Sequence, residues 1–252
     1  MFEAKMRFFV NLVHEIRTPL TLISLPLEQM AEEAEEGNVS PEATEQHIRS
    51  MQRNVNYLLG ITNQLLDFRK AEQDSEVRLA SASCNINELL SDICRRFDHP
   101  MASAGKEITV ELPDEPVTAV IDRSKTDRII MNLIGNAVKY SRHSVDVRLQ
   151  APAEGRIVIS VSDDGPGISP EERGRIFDTY YQIGNDNVAA SLGTGLGLAY
   201  AKLIARAHGG DISVSDNARG GATFTLTLPL TGGVAVMKEK DDVTVGDQPE
   251  EA

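Results

Sequence analysis

Residues 8–23 read FFVNLVHEIRTPLTLI. Apolar residues at Leu12, Ile16, Pro19, Ile23, Leu27 and Met30 recur every three or four positions, the period of a helix with one buried face. His14, Glu15, Arg17 and Thr18 are set into that pattern. At 3.6 residues per turn, His14 and Thr18 share a face one turn apart, with Glu15 beside the histidine. Pro19 removes a backbone donor, so the carbonyl of Glu15, one turn earlier, loses its helical partner. A carboxylate beside an imidazole can fix its tautomer and raise its basicity, which suits a nucleophile. A His-Glu pair alone is more often an ordinary exposed pair, so the rest of the chain decides.

Working outward, the helix is expected to end near Glu36. There EEAEEGNVSPE offers Gly37 as a stop signal and Ser40-Pro41 as a start signal. A second helix is expected from Glu42 to Glu76, with a heptad seam at Ile48, Met51, Val55, Leu58, Thr62 and Leu65, widened by Leu59 and Leu66. Helices of this length span ~50 Å, and a lone hairpin would leave much of its apolar face wet. A second copy would complete a four-helix bundle, so residues 1–78 are expected to form a homodimer, and a charge at Leu58 to dissociate it.

The chain has 252 residues, 41% apolar and 25% charged, with a formal charge of −13. That charge argues against non-specific nucleic-acid binding, which needs a basic surface. Cys84 and Cys94 make neither a metal pattern nor a disulfide framework and read as reduced thiols of the cytoplasm. No apolar run approaches the ~20 residues of a membrane span, and no signal peptide opens the chain. The sequence starts inside an amphipathic helix, as a fragment would, so any membrane anchor is expected in upstream segments.

Residues 79–232 read as an α/β sandwich with a mixed sheet and helices on one side. NINELLSDICRRFDHPMASAGK is a helix capped at Asn85 or Asn87, ITVELP and VTAVID are strands, and DRSKTDRIIMNLIGNAVKYS is a helix. VDVRLQ and RIVISVSD are strands, a loop-rich stretch leads to LGTGLGLAYAKLIARAHGG, and ISVSD and ATFTLTLPL close the domain. Residues 233–252 read as a disordered acidic tail.

Four stretches carry candidate chemistry. NLIGNAVKY sets Asn132 and Asn136 one turn apart, followed by Lys139 and Tyr140. Amide oxygens suit Mg²⁺, and a lysine can meet phosphates as a point charge. In Asp163-Asp164-Gly165-Pro166-Gly167-Ile168, Asp163 ends a strand and can accept from an exocyclic amine, while the glycines allow close backbone approach. Gly193-Thr194-Gly195-Leu196-Gly197-Leu198 opens a helix, whose amides can face a phosphate. It follows a polar loop rather than a strand, so it is not a Rossmann fingerprint. Gly220-Gly221-Ala222-Thr223 is explained equally well by a hairpin turn. Singly, each stretch also reads as an exposed helix face or a simple turn.

Taken in order, HEIRTPL, NLIGNAVKY, DDGPGI, RIFDTYYQ and GTGLGL resemble the sensor histidine kinases of two-component signalling, from about Phe8 to Leu230. The resemblance implies a helical hairpin forming a dimeric four-helix bundle, followed by an α/β sandwich of the GHKL (Bergerat) ATPase type. It implies ATP and Mg²⁺ as cofactors and a response-regulator receiver domain as partner. It makes His14 the phosphoacceptor, Glu15 its acidic partner, and Thr18 a residue that places water for dephosphorylating the regulator. It makes Asn136 the Mg²⁺ ligand, puts Asn132, Lys139 and Tyr140 on the nucleotide, and makes Asp163 the reader of adenine. Gly165, Gly167 and Ile168 form the turn beneath the base, and Phe177 is the aromatic of the F box. Gly193 to Leu198 and Thr223 face the phosphate side. Two positions depart from the pattern: Gln182 stands near where many relatives carry a base, and Asp164 where asparagine is common. The competing readings are a clamp ATPase of the gyrase and Hsp90 type, or a silent nucleotide-gated scaffold.

Overall fold

The computed structural model describes residues 2–37, 39–73, 77–183 and 195–231. The tail at 233–252, and Gly193 and Thr194 of the glycine stretch, lie outside them.

Helix α1 (Phe2–Glu36) runs unbroken through Pro19 and Pro26, and α2 (Pro41–Gln73) folds back against it. Their shared face differs from the expected seam. On α1 it holds Leu12, Glu15, Pro19, Ile23, Pro26 and Met30, with Leu27 turned out at 51% exposure. On α2 it holds Met51, Asn54, Leu58, Ile61 and Leu65, while Ile48, Val55 and Thr62 are exposed. The two helices satisfy only one flank of a broad apolar stripe, so period-seven spacing could not tell which flank faces the sister helix.

The α/β domain opens with β1 (Ala82–Asn85), a strand the polar sequence ASASCN gave no sign of. It pairs antiparallel with β3 (Thr118–Ile121) in a two-stranded ribbon. The main sheet has the order β2-β4-β5-β7-β6, built from Glu107–Glu111, Ser144–Leu149, Arg156–Asp163, Ala222–Pro229 and Asp211–Asp216. Only β2 and β4 run parallel, so the sheet is mixed. The register sets Val147 opposite Val161 and Val161 opposite Phe224, which brings the buried alternate residues of three strands onto one face.

Helices α3 (Ile86–Ser103), α4 (Arg123–Tyr140) and α6 (Gly197–Ala207) pack on that face. Asn85 is the cap of α3, accepting from the Glu88 amide at 3.3 Å; Asn87 instead bonds the Pro113 carbonyl and the Val117 amide. Ile129, Ile130, Leu133 and Ile134 of α4 are fully buried, each contributing roughly 1.5–3 kcal/mol relative to exposure. The loop-rich stretch contains a short helix, α5 (Pro170–Arg173), and a 3-10 turn at Arg175–Phe177. Both cysteines are free and buried, and burial, with Asp98 adding, pushes the Cys94 thiol up to about 12.

Two polar contacts fix α4 against α6. At one end the Asp122 amide donates to Nε2 of buried His208 at 3.1 Å, and His208 Nδ1 donates to the Ile204 carbonyl at 2.9 Å. Both ring nitrogens are thus used by a neutral imidazole, and burial holds its pKa below the ordinary value. At the other end Asn132 Nδ2 donates to the Gly197 carbonyl at 3.3 Å. Both α4 and α6 border the site. No helix among the described residues is long and apolar enough to cross a membrane.

Candidate nucleotide site

A cavity of about 280 Å³ opens between α4, the end of β5 and the start of α6. From α4 it is lined by Asn132, Asn136, Lys139 and Tyr140, which the 3.6-residue period places on one face. Asp163, Gly167 and Ile168 line it from the end of β5, and Gly195, Gly197 and Leu198 from the start of α6. These stretches are separated by up to 66 residues yet converge on one space.

Asp163 is buried at 3% exposure and its orientation is fully specified. Its Oδ1 accepts from the Gly165 amide at 2.8 Å and the Ala222 amide at 3.3 Å. Oδ2 takes part in neither bond. Gly165 does not line the cavity; it stands behind it. A Cβ there would lie 2.6 Å from the Tyr140 carbonyl oxygen and 2.8 Å from Asp163 Oδ1. Glycine is what allows the end of α4 to approach the Asp163 carboxylate.

Asp164 turns the other way. Its carboxylate accepts from the amides of Arg142, His143 and Ser144 at 2.8, 3.0 and 3.2 Å. Partial burial pushes its carboxyl up, but those amides outweigh burial and hold it well below the usual carboxylate range. Asp164 thus ties the loop after α4 to the end of β5.

Three further expected contacts stand off the cavity. Phe177 packs edge-on against Phe224, centroids 6.5 Å apart, under the Lys202 ammonium at 4.4 Å. It braces Phe224, which does line the space. Leu196 is buried in the core at 1% exposure, and Thr223 Oγ1 bonds Ser162 Oγ at 2.7 Å. The remaining lining comes from Pro166, Ile176, Tyr181, Gln182, Ile183, Ala222 and Phe224. No local signal marks most of these residues, which are adjacent only in the fold.

His14 lies elsewhere, exposed on α1. Leu12 and Leu65 pack against the α/β core, which puts His14 at the end of the hairpin next to that domain. A second cavity, lined by Gly60 and Asn63 of α2, shares Asn132 and Gly197 with the first. Glu15 is buried at 5% exposure and lies close enough to Tyr57 for its charge to raise the phenol's pKa, after burial. Glu15 thus sits on the buried face of the hairpin while His14 beside it is exposed. Thr18 Oγ1 donates to the His14 carbonyl at 3.2 Å.

Fold and cavity define an ATPase-type α/β domain behind a helical hairpin, and comparisons agree with both halves. Residues 121–232 match the family of histidine kinase-, DNA gyrase B- and HSP90-like ATPases, and residues 4–74 match the His Kinase A (phospho-acceptor) domain. The chain is 30% identical to the sensor histidine kinase YcbM of Bacillus subtilis over 90% of its own length and 72% of YcbM. It is 36% identical to the sensor histidine kinase TmoS of Ectopseudomonas mendocina over 98% of its length, covering 25% of TmoS. Among solved structures, full-length ShkA in complex with AMPPNP superposes with a TM-score of 0.64 at 26% identity, over 87% of this chain and 47% of ShkA. The chain belongs to the sensor histidine kinase family. It spans a quarter or less of the length of several curated relatives.

Proposed function

We propose that this chain is the kinase core of a two-component sensor: it binds ATP in the α4–α6 cavity and transfers the γ-phosphoryl group to His14. The observation that carries this is the convergence of Asn136, Lys139, Asp163 and the α6 N-terminus on one cavity, beside a hairpin bearing an exposed histidine. Asp163 Oδ2 accepts from the adenine amine, and Lys139 meets the phosphates. The donor set suits Mg²⁺: Asn136 supplies one amide oxygen, and no cluster of three acidic, histidine or cysteine ligands exists among the described residues. A site with one protein oxygen leaves the other positions to phosphates and water, as Mg²⁺ prefers. When bound, Mg²⁺ would neutralise phosphate charge.

The His14 ring nitrogen then attacks the γ-phosphorus in line, the bond to the bridging oxygen breaks, and ADP leaves. His14 does not line the cavity, so the α/β domain must move along the hairpin to deliver the phosphate. The phosphoryl group next passes to an aspartate of a receiver domain. Incubation with Mg²⁺ and γ-labelled ATP should label the chain, α-labelled ATP should not, and no transfer from the γ-position would overturn the proposal.

Dimerisation through the hairpin is part of the same proposal. Val13, Leu20, Leu27, Ile48, Val55 and Leu59 are 41–55% exposed, a stripe that a second hairpin would cover. Leu58 faces α1, so a charge there would damage the hairpin itself. Val55→Glu or Leu59→Glu is the cleaner probe. Either should shift the sedimenting species from dimer to monomer at micromolar concentration while ATP binding persists; a wild-type monomer would contradict it.

Thr18 separates two activities. Its hydroxyl lies one turn from His14 and is exposed, so it can hold a water against a phosphoaspartate docked on that face. Thr18→Ala should leave His14 labelling near normal and slow dephosphorylation of a phosphorylated receiver by about tenfold or more. If both activities fall together with the melting temperature, the hydroxyl serves only its bond to the His14 carbonyl.

A further inference from the structure

Asn217 lies outside every motif, in the turn between β6 and β7, and each of its side-chain polar groups is engaged. Nδ2 donates to the Asp163 carbonyl at 2.8 Å and to the Ala222 carbonyl at 3.1 Å. Oδ1 accepts from the Arg219 amide at 3.0 Å and the Gly221 amide at 3.2 Å. Two donors and two lone pairs are all that a primary amide offers. The approach depends on Gly221, where a Cβ would stand 2.1 Å from the Asp163 carbonyl oxygen.

We infer that Asn217 is a positioning residue for the base-reading carboxylate, holding Asp163 in the rotation that selects adenine. One N–H grips the main chain of Asp163. The other grips the carbonyl of Ala222, whose own amide donates to Asp163 Oδ1. The amide thus fixes both ends of the contact that immobilises Oδ1 and leaves Oδ2 for the base. Without it, the Ala222 amide on Oδ1 is the one hydrogen bond left between Ala222 and Asp163, because the pairing of β5 with β7 ends one step earlier at Ser162↔Thr223. The carboxylate could then rotate, and a rotating acceptor discriminates poorly between an amine and a carbonyl.

The inference rests on the proposed adenine-reading role of Asp163, and the test keeps the two apart. Asn217→Asp keeps the acceptor for the Arg219 and Gly221 amides but turns an oxygen, in place of both donated N–H groups, toward the Asp163 and Ala222 carbonyls. Asn217→Ala removes all four contacts without that repulsion. Affinities for Mg²⁺·ATP and Mg²⁺·GTP, melting temperature, and hydrogen exchange of the Ala222 amide are measured on the full chain. Both variants should bind ATP about tenfold more weakly, with the ATP-to-GTP ratio falling toward one and the Ala222 amide exchanging faster. If the wild type prefers ATP and the variants keep its ratio, the inference is overturned while Asp163 retains its role; a lowered melting temperature alone would mark Asn217 as structural. If the wild type binds ATP and GTP alike, the adenine reading fails and takes the inference with it. Variants unfolded at the assay temperature would also overturn it, since Asn217 would then be holding the sheet.

Discussion

Asp163→Ala should bind ATP about 10- to 100-fold more weakly than the wild type. A hydrogen bond to a charged acceptor contributes roughly 1.5–3 kcal/mol, and every 1.4 kcal/mol is a factor of ten in affinity. The truncation also leaves the Gly165 and Ala222 amides without the oxygen they share, inside a site where water has little access. The loss should be selective: GTP, which presents a carbonyl where adenine has its amine, should bind the wild type poorly and change little. Titration of the two nucleotides against both proteins checks this, and equal losses for ATP and GTP would assign Asp163 to folding rather than to the base.

Gly165→Ala should match or exceed that loss, for a steric reason. The added methyl would sit 2.6 Å from the Tyr140 carbonyl oxygen and 2.8 Å from Asp163 Oδ1, both well inside contact distance. Tyr140 ends α4 and is held by the helix, and the loop beyond it is pinned by the three amides on Asp164. The carboxylate is the part that can yield, and rotating it breaks the Gly165 and Ala222 bonds. Overpacking of this kind costs about 1–3 kcal/mol, and the lost base contact adds to it, so ATP affinity should fall by about 100-fold. Gly174→Ala is the control, because a Cβ there meets nothing within 4 Å and the residue lies off the cavity. Wild-type affinity in Gly165→Ala would mean that the backbone relaxes and that the close approach has no bearing on binding.

Much of the fold could be read from apolar spacing. Ile157, Ile159 and Val161 alternate and face inward, and Ile129, Ile130, Leu133, Ile134 and Ala137 follow the helical period into the core. β1 could not be read, because Cys84 is its only buried residue and its pairing with β3 is a tertiary choice. In the hairpin, the stripe on α2 is wide enough to meet two neighbours. Spacing located the stripe without saying that Asn54 and Ile61 turn inward while Ile48 and Val55 turn out.

The candidate site divides in the same way. Asn136, Lys139, Asp163 and Gly167 sit in short stretches with unusual residue types, so they stand out in sequence. Ile176, Tyr181 and Phe224 are apolar residues whose place at the cavity depends on how β7 and the 3-10 turn meet. Asn217 looks like any asparagine in a turn until its amide is seen across the sheet on Asp163, 54 positions away. Glu15 could be placed beside His14 from sequence, but not its burial: consecutive helical residues point about 100° apart, so Glu15 is 5% exposed while His14 is exposed.

The central claim is that the nucleotide held by the α4–α6 cavity phosphorylates His14. The most direct measurement incubates wild type and His14→Gln with γ-labelled ATP and Mg²⁺, then exposes the labelled protein to acid and to base. The account predicts label on the wild type alone, lost in acid and stable in base, as a phosphoramidate is. Label on His14→Gln, or label that survives acid, would contradict it.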